Sequence, residues 1–246
     1  MPQRHTRHLA AHVISVLKNR QGTTQTGARQ IVLDFLLRAV LQPGLFDPAL
    51  IQAELRGFRL TVDAIIDTYI PLTAHRLGDM WVASDIDFAQ VTIGALRLQG
   101  LLAEASEDTT LRGMAPPLDL SMLIVVPEGE QHFLGASVVA AQLRRMGCHV
   151  ATAFCERNEM IVSRILFDRP NAVLFTCARS AGLETIAQTV FSVRNAIDNA
   201  PLLVLGGALP DDDASIVDTT NVDLVTNVAK DVVTLCLKQS RAVTEE

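Results

Sequence analysis

The densest group of residues able to do chemistry lies in one loop, Pro127-Glu-Gly-Glu-Gln-His-Phe-Leu-Gly135. Glu130 and His132 stand two apart, and Gly135 follows at the start of a helical pattern. A histidine here can offer neutral imidazole to a soft or borderline metal. A carboxylate on the same loop can accept the other ring N–H, which fixes the tautomer and raises ligand basicity. A glycine lets the chain approach a bulky ligand without a Cβ. The same residues also suit a surface histidine beside two acids, and spacing alone does not separate the two readings. The loop lacks G-x-G-x-x-G, so it gives little support to dinucleotide binding.

Other chemical groups carry less. His5, His8 and His12 fall near helical spacing but read as a solvated amphipathic start. Asp211-Asp-Asp213 reads as acids at a helix start rather than a cation site. His75 sits within a helical pattern and reads first as a surface residue. Cys148, Cys155, Cys177 and Cys236 form no C-x-x-C pair, so buried reduced thiols are expected and zinc is not.

The elements that must position the loop change rhythm along the chain. Residues 27–105 are helical in pattern, after an extension at 1–26. Ile31, Leu33, Phe35, Leu36, Val40 and Leu41 mark one helix ending near Pro43-Gly44. Asp47 and Pro48 look like an N-cap and first-turn proline. Leu60 to Leu77 is a long periodic segment that Pro71 should kink, with Gly78 suggesting a stop. Asp87 is placed to cap a last helix through Leu102. Together these predict a small helical bundle. Residues 106–120, with Pro116-Pro117, read as a linker.

After the linker, strands and helices alternate. Met122–Val126, Val150–Phe154, Ala172–Thr176, Leu202–Leu205 and Val222–Val225 read as strands. The helices between them cover Gly135–Met146, Glu159–Phe167, Leu183–Ile197 and Val228–Leu237. Short continuous apolar runs suit parallel strands buried on both faces. Residues 121–240 therefore predict an α/β fold, a Rossmann-like doubly wound parallel sheet, with a tail at 241–246. Such sheets bind ligands at the carboxyl ends of their strands, where the His132 loop lies.

Composition narrows the function classes. Apolar residues make up 49% of the 246, ample for a packed core. The net charge is −6, with lysine only at positions 18, 230 and 238, which disfavours nucleic-acid binding. Arg4, Arg7, Arg144 and Arg145 make small basic spots, and no basic helix-turn-helix is legible. No signal peptide is evident and no apolar run approaches the roughly 18–20 residues of a membrane span, so a cytoplasmic protein is expected.

Glu-Gly-Glu-Gln-His-Phe-Leu-Gly resembles the cobalamin-binding signature Asp-x-His-x-x-Gly, with Glu130 in the aspartate place. Thr176-Cys-Ala178 stands where that family has Ser-x-Leu, and Gly206-Gly207 where it has a glycine pair. Leu77-Gly-Asp-Met-Trp81 looks like the Leu-Gly-x-x-Trp element of the family's helical cap. The resemblance covers about residues 27–240. It is narrowed by Glu130-Gln131-His132, Phe88-Ala-Gln-Val-Thr-Ile-Gly94 and Arg97-Leu-Gln99, which look like the AerR/PpaA group of cobalamin-responsive antirepressors.

The resemblance implies a helical-bundle cap followed by a cobalamin-binding domain. It makes His132 the axial cobalt ligand and Glu130 its orienting partner, with Gly129, Gln131 and Gly135 around them. It makes Thr176, Gly206 and Gly207 contacts of the nucleotide tail. Trp81 becomes a cover for the upper corrin face; its other reading is a core aromatic. The implied cofactor is hydroxo- or adenosylcobalamin, and the implied partner is a PpsR/CrtJ-type transcriptional repressor. A change at the cobalt would then move the cap against the sheet. Two alternatives stay open: a corrinoid carrier for methyl transfer, and a heme sensor of the kind described for the related domain of AppA. Glu130 for aspartate, Thr176 for serine, and Gln90-Val91 in place of a Glu-His pair are the departures from the pattern.

Overall fold

The computed structural model describes residues 28–111, 117–130, 133–178, 182–207 and 213–244. The chain divides into two compact units, Met1–Ala105 and Ser106–Glu246.

The first unit is helical. Helix α1, Gln30–Leu41, buries Val32, Leu33, Leu36 and Val40 along one stripe. Helix α2, Pro48–Gly57, starts as the sequence predicts: the Asp47 carboxylate accepts from Ala49 N and Leu50 N. A short helix α3, Val62–Ala64, leads into a π-helical turn, Ile65–Tyr69, and then helix α4, Ile70–Val82. The wide turn just precedes Pro71. Proline has no N–H to donate and its ring crowds the carbonyl four residues back, so one i→i+5 turn lets the helix continue instead of breaking. Gly78 does not stop this helix. Leu77 is buried beside it, and the run ends later, where Ser84 takes φ 63° and donates its N–H to Trp81 O.

Helix α5, Phe88–Leu111, opens with a reciprocal cap. Gln90 N donates to Asp87 Oδ1 at 2.8 Å, and Asp87 N donates to Gln90 Oε1 at 2.9 Å. The helix runs on to Leu111, into the stretch that reads as linker in the sequence. A Cβ on Gly94 would lie 2.8 Å from Leu77 Cδ1, so the glycine lets α5 pack closely on α4. Arg97 donates to Val40 O, Gln42 O and Gly44 O at 2.9, 2.6 and 2.7 Å, and its guanidinium lies over the Phe46 ring. One fork thus satisfies the open carbonyls at the end of α1 and fixes the turn into α2. The AerR-like residues Gln90, Gly94 and Arg97 therefore build the helical unit. Arg97→Ala is expected to lower its stability by about 2 kcal/mol, with Arg97→Lys recovering only part; thermal unfolding reads both.

Among the described residues the second unit holds five parallel strands: β1 Ser121–Val126, β2 His149–Phe154, β3 Ala172–Thr176, β4 Leu202–Gly206 and β5 Leu224–Val225. Their order is β2-β1-β3-β4-β5. Helices α6 Phe133–Arg145, α7 Asn158–Asp168, α8 Leu183–Ala196, α9 Asp213–Thr220 and α10 Ala229–Thr244 connect or close them. Asp211 and Asp212 of the acidic cluster lie outside the described residues. Successive strand residues alternate between two cores. Met122, Ile124 and Val126 pack with α6 and α10. Leu123 and Val125 pack with α7, α8 and α9. Burial on both faces explains why the central strands read as unbroken apolar runs.

The cysteines divide by position. Cys148, Cys177 and Cys236 are buried, as the sequence suggests. Burial pushes the Cys236 thiol up to about 11, with Cys148 nearby adding to the rise, and burial also raises Cys148. Cys155 departs from expectation and is exposed, because β2 ends just before it and the chain turns there at φ 52°. A raised thiol pKa leaves less thiolate, so Cys148 and Cys236 should resist alkylation at neutral pH. A thiol titration of native protein at pH 8 is expected to find Cys155 fast and these two slow until denaturant is added.

Candidate functional site

The strand order places a topological switch point between β1 and β3. The chain leaves β1 for a helix on one face, and leaves β3 for a helix on the other. The two loops therefore part at the carboxyl edge of the sheet and leave a crevice between them, where sheets of this kind bind ligands.

The first loop turns at Gly129, φ 82°, and closes with Glu130 N donating to Pro127 O at 3.2 Å. This turn directs the Glu130 side chain inward, where it is only 7% exposed. Ala178 N donates to Glu130 Oε2 at 2.9 Å. The carboxylate thus ties the loop after β1 to the loop after β3, across the switch point. The Thr176-Cys-Ala178 element marked the position in the sequence, but not this role, because the contribution of Ala178 is a backbone N–H. Gln131 and His132 lie outside the described residues. Gly135 lies in the first turn of α6, exposed, with nothing within 4 Å of where a Cβ would stand. On the neighbouring edge, the Phe133 ring meets Phe154 at the end of β2, 5.6 Å between centroids.

Thr176 is the last residue of β3 and sits in register with Gly206, the last of β4. Its Oγ1 is buried and has no hydrogen-bond partner among the described residues. An unpaired buried hydroxyl costs roughly 1–3 kcal/mol, which marks a place where a partner is expected. Beside it the chain is unusually close-packed. A Cβ on Gly206 would lie 2.8 Å from Thr226 O. Gly207 adopts φ 142°, and a Cβ there would lie 1.7 Å from Cys177 O. Cys177 N donates to Gly206 O at 2.9 Å, holding the two strand ends together.

Asn227 was not singled out in the sequence. Its Oδ1 accepts from Gly207 N at 2.7 Å, and its Nδ2 donates to Gly207 O at 3.0 Å. An amide side chain just past the last strand, on the ligand edge of the sheet, was the available signal.

The structure therefore gathers Gly129, Glu130, Thr176, Gly206 and Gly207 at the carboxyl edge of one sheet. Trp81 belongs to the helical unit, on α4, and is 49% exposed, which sets aside the reading of a buried core aromatic. His75, on the same helix, is exposed. Among the described residues no helix is long and apolar enough to cross a membrane.

Comparison with known proteins adds three findings. The B12 binding domain family matches residues 120–234. The chain is 33% identical over 174 residues to the uncharacterized 20.5 kDa protein in the bchF-crtJ intergenic region of Rhodobacter capsulatus, across 71% of this chain and 91% of that one. Its fold is similar to that of the monomethylamine corrinoid protein of Methanosarcina barkeri, with a TM-score of 0.69 at 16% identity, over 86% of this chain and 99% of that structure.

Proposed function

Because the chain belongs to one family with the Rhodobacter protein from the bchF-crtJ region and carries a match to the B12 binding domain over residues 120–234, we propose that it is a cobalamin-dependent regulator that acts as an antirepressor on a PpsR/CrtJ-type repressor. It performs no catalysis on this reading. The regulatory part is carried by one observation: the relative is encoded beside crtJ, and it matches this chain over nearly its whole length.

The residues at the switch point suit the cofactor. The orphaned Thr176 hydroxyl has a donor and acceptor to offer. Gly206 and Gly207 carry no side chain where a Cβ would strike neighbouring backbone, so the strand end in register with Thr176 presents bare peptide. We assign these three to the nucleotide tail. His132 would ligate the cobalt and Glu130 would orient its ring. Bound cobalamin would supply a cobalt centre whose upper ligand exchanges or is lost in light.

Thr176→Val tests the tail assignment with two opposite signs. Removing an unpaired buried hydroxyl should stabilise the ligand-free protein by about 1 kcal/mol, while weakening cobalamin binding severalfold. Loss of stability with unchanged affinity would remove Thr176 from the site. The regulatory reading is tested by capture of a purified PpsR/CrtJ-type repressor, with hydroxo- and adenosylcobalamin, in light and dark. A cofactor-dependent complex is expected. No complex in any condition contradicts the reading, and acceptance of a methyl group from a methyl donor would favour a corrinoid carrier instead.

A further inference from the structure

Asn227 is exposed, yet both ends of its amide are committed to one glycine. The Gly207 N–H and C=O belong to successive peptide units, so a single planar side chain holds both orientations. Asn227 is itself held in place. Thr226 N donates to Leu205 O at 3.0 Å, which anchors the turn to β4. Val228 N donates to Thr226 Oγ1 at 3.1 Å, and Thr226 Oγ1 donates to Asp231 Oδ2 at 3.3 Å, which anchors it to the start of α10. The grip therefore passes from a fixed helix start to Gly207.

The residue it grips needs holding. Gly207 sits at φ 142° with its Cα pressed against the Cys177 carbonyl. A glycine has many other backbone states of similar energy, and nothing in its own side chain selects this one. Rotation of either peptide would change the polar groups that the end of β4 presents, and that strand end is in register with Thr176 and its buried, unpartnered hydroxyl.

We propose that Asn227 is a positioning residue: by clamping Gly207 it holds the Gly206-Gly207 backbone in one conformation at the strand end beside Thr176, and so keeps the slot for the cobalamin tail formed before the ligand arrives. This rests on the corrinoid reading above and adds the element that preorganises the tail site. Preorganisation raises affinity by removing an ordering cost from binding, with no contact to the ligand required.

The test compares two corrinoids in the full-length protein. Hydroxocobalamin carries the nucleotide tail and aquacobinamide lacks it. For Asn227→Ala, affinity for hydroxocobalamin is expected to fall roughly tenfold while affinity for aquacobinamide stays within about twofold, the scale of one or two neutral hydrogen bonds. Asn227→Asp keeps the acceptor for Gly207 N but loses the donor to Gly207 O, and should fall between. The ratio of the two affinities is the deciding readout, because a purely structural defect lowers both together. Equal losses for the two corrinoids, or no loss in either variant, overturn the role of Asn227 and leave the corrinoid reading standing. Failure of the wild-type protein to bind either corrinoid overturns both.

Discussion

Gly207→Ala is expected to be the most damaging single-methyl change in the α/β unit. The new Cβ would stand 1.7 Å from Cys177 O, far inside any tolerated contact, and the obstacle is backbone rather than a flexible side-chain end. Backbone strain at φ 142° adds to the overlap. The two together are worth roughly 3–5 kcal/mol, a large share of a domain's stability. If the chain survives, it must do so by moving Gly207 off Cys177 and giving up the bonds to Asn227. Thermal unfolding reads the first effect, and cobalamin titration the second. An alanine variant with wild-type stability and wild-type affinity would show that this turn is neither tight nor part of the site.

Glu130→Ala is expected to cost less in folding and more in binding. Its carboxylate accepts the Ala178 N–H across the switch point, and removing it leaves that donor without its partner. If Glu130 also orients His132, cobalamin affinity should drop about 10- to 100-fold, the usual consequence of removing the group behind a metal-binding histidine. Glu130→Asp separates the two jobs. Aspartate is what the resemblance has at this place, and being one methylene shorter it should lose its reach to Ala178 N. An intermediate affinity with a loosened loop is expected from it. If alanine and aspartate variants both bind as tightly as wild type, Glu130 is only a structural tie.

Much of the sheet was readable because its strands are buried on both sides. Ala172–Thr176 is the same strand in sequence and structure, set off by Pro170-Asn171 before it. β5 is shorter than the pattern suggests: Val222 packs in the core ahead of it, and the Asp223 side chain accepts from Leu203 N of β4. The Gly78 stop failed for a tertiary reason: burial of Leu77 under α5 outweighs the modest helix cost of one glycine. The π-helical turn at Ile65–Tyr69 has no signature beyond Pro71 itself. In the site, the glycines at 129 and 207 were marked by the resemblance, and the structure adds the physical reason, a positive φ at each. The ties through Ala178 N and Asn227 were not, because a backbone donor has no letter and an exposed asparagine has many uses. The resemblance at Gln90, Gly94 and Arg97 pointed to the family through residues whose work here is capping, close packing and turn fixing.

The most direct test of corrinoid binding at the β1–β3 switch point is a spectrophotometric titration of the purified protein with hydroxocobalamin, beside the His132→Ala variant and a parallel titration with heme. One cobalamin per chain is expected, with a change in the cobalt spectrum on binding that His132→Ala abolishes. Stoichiometric binding of heme alone, or the same cobalt spectrum in wild type and His132→Ala, would contradict the account.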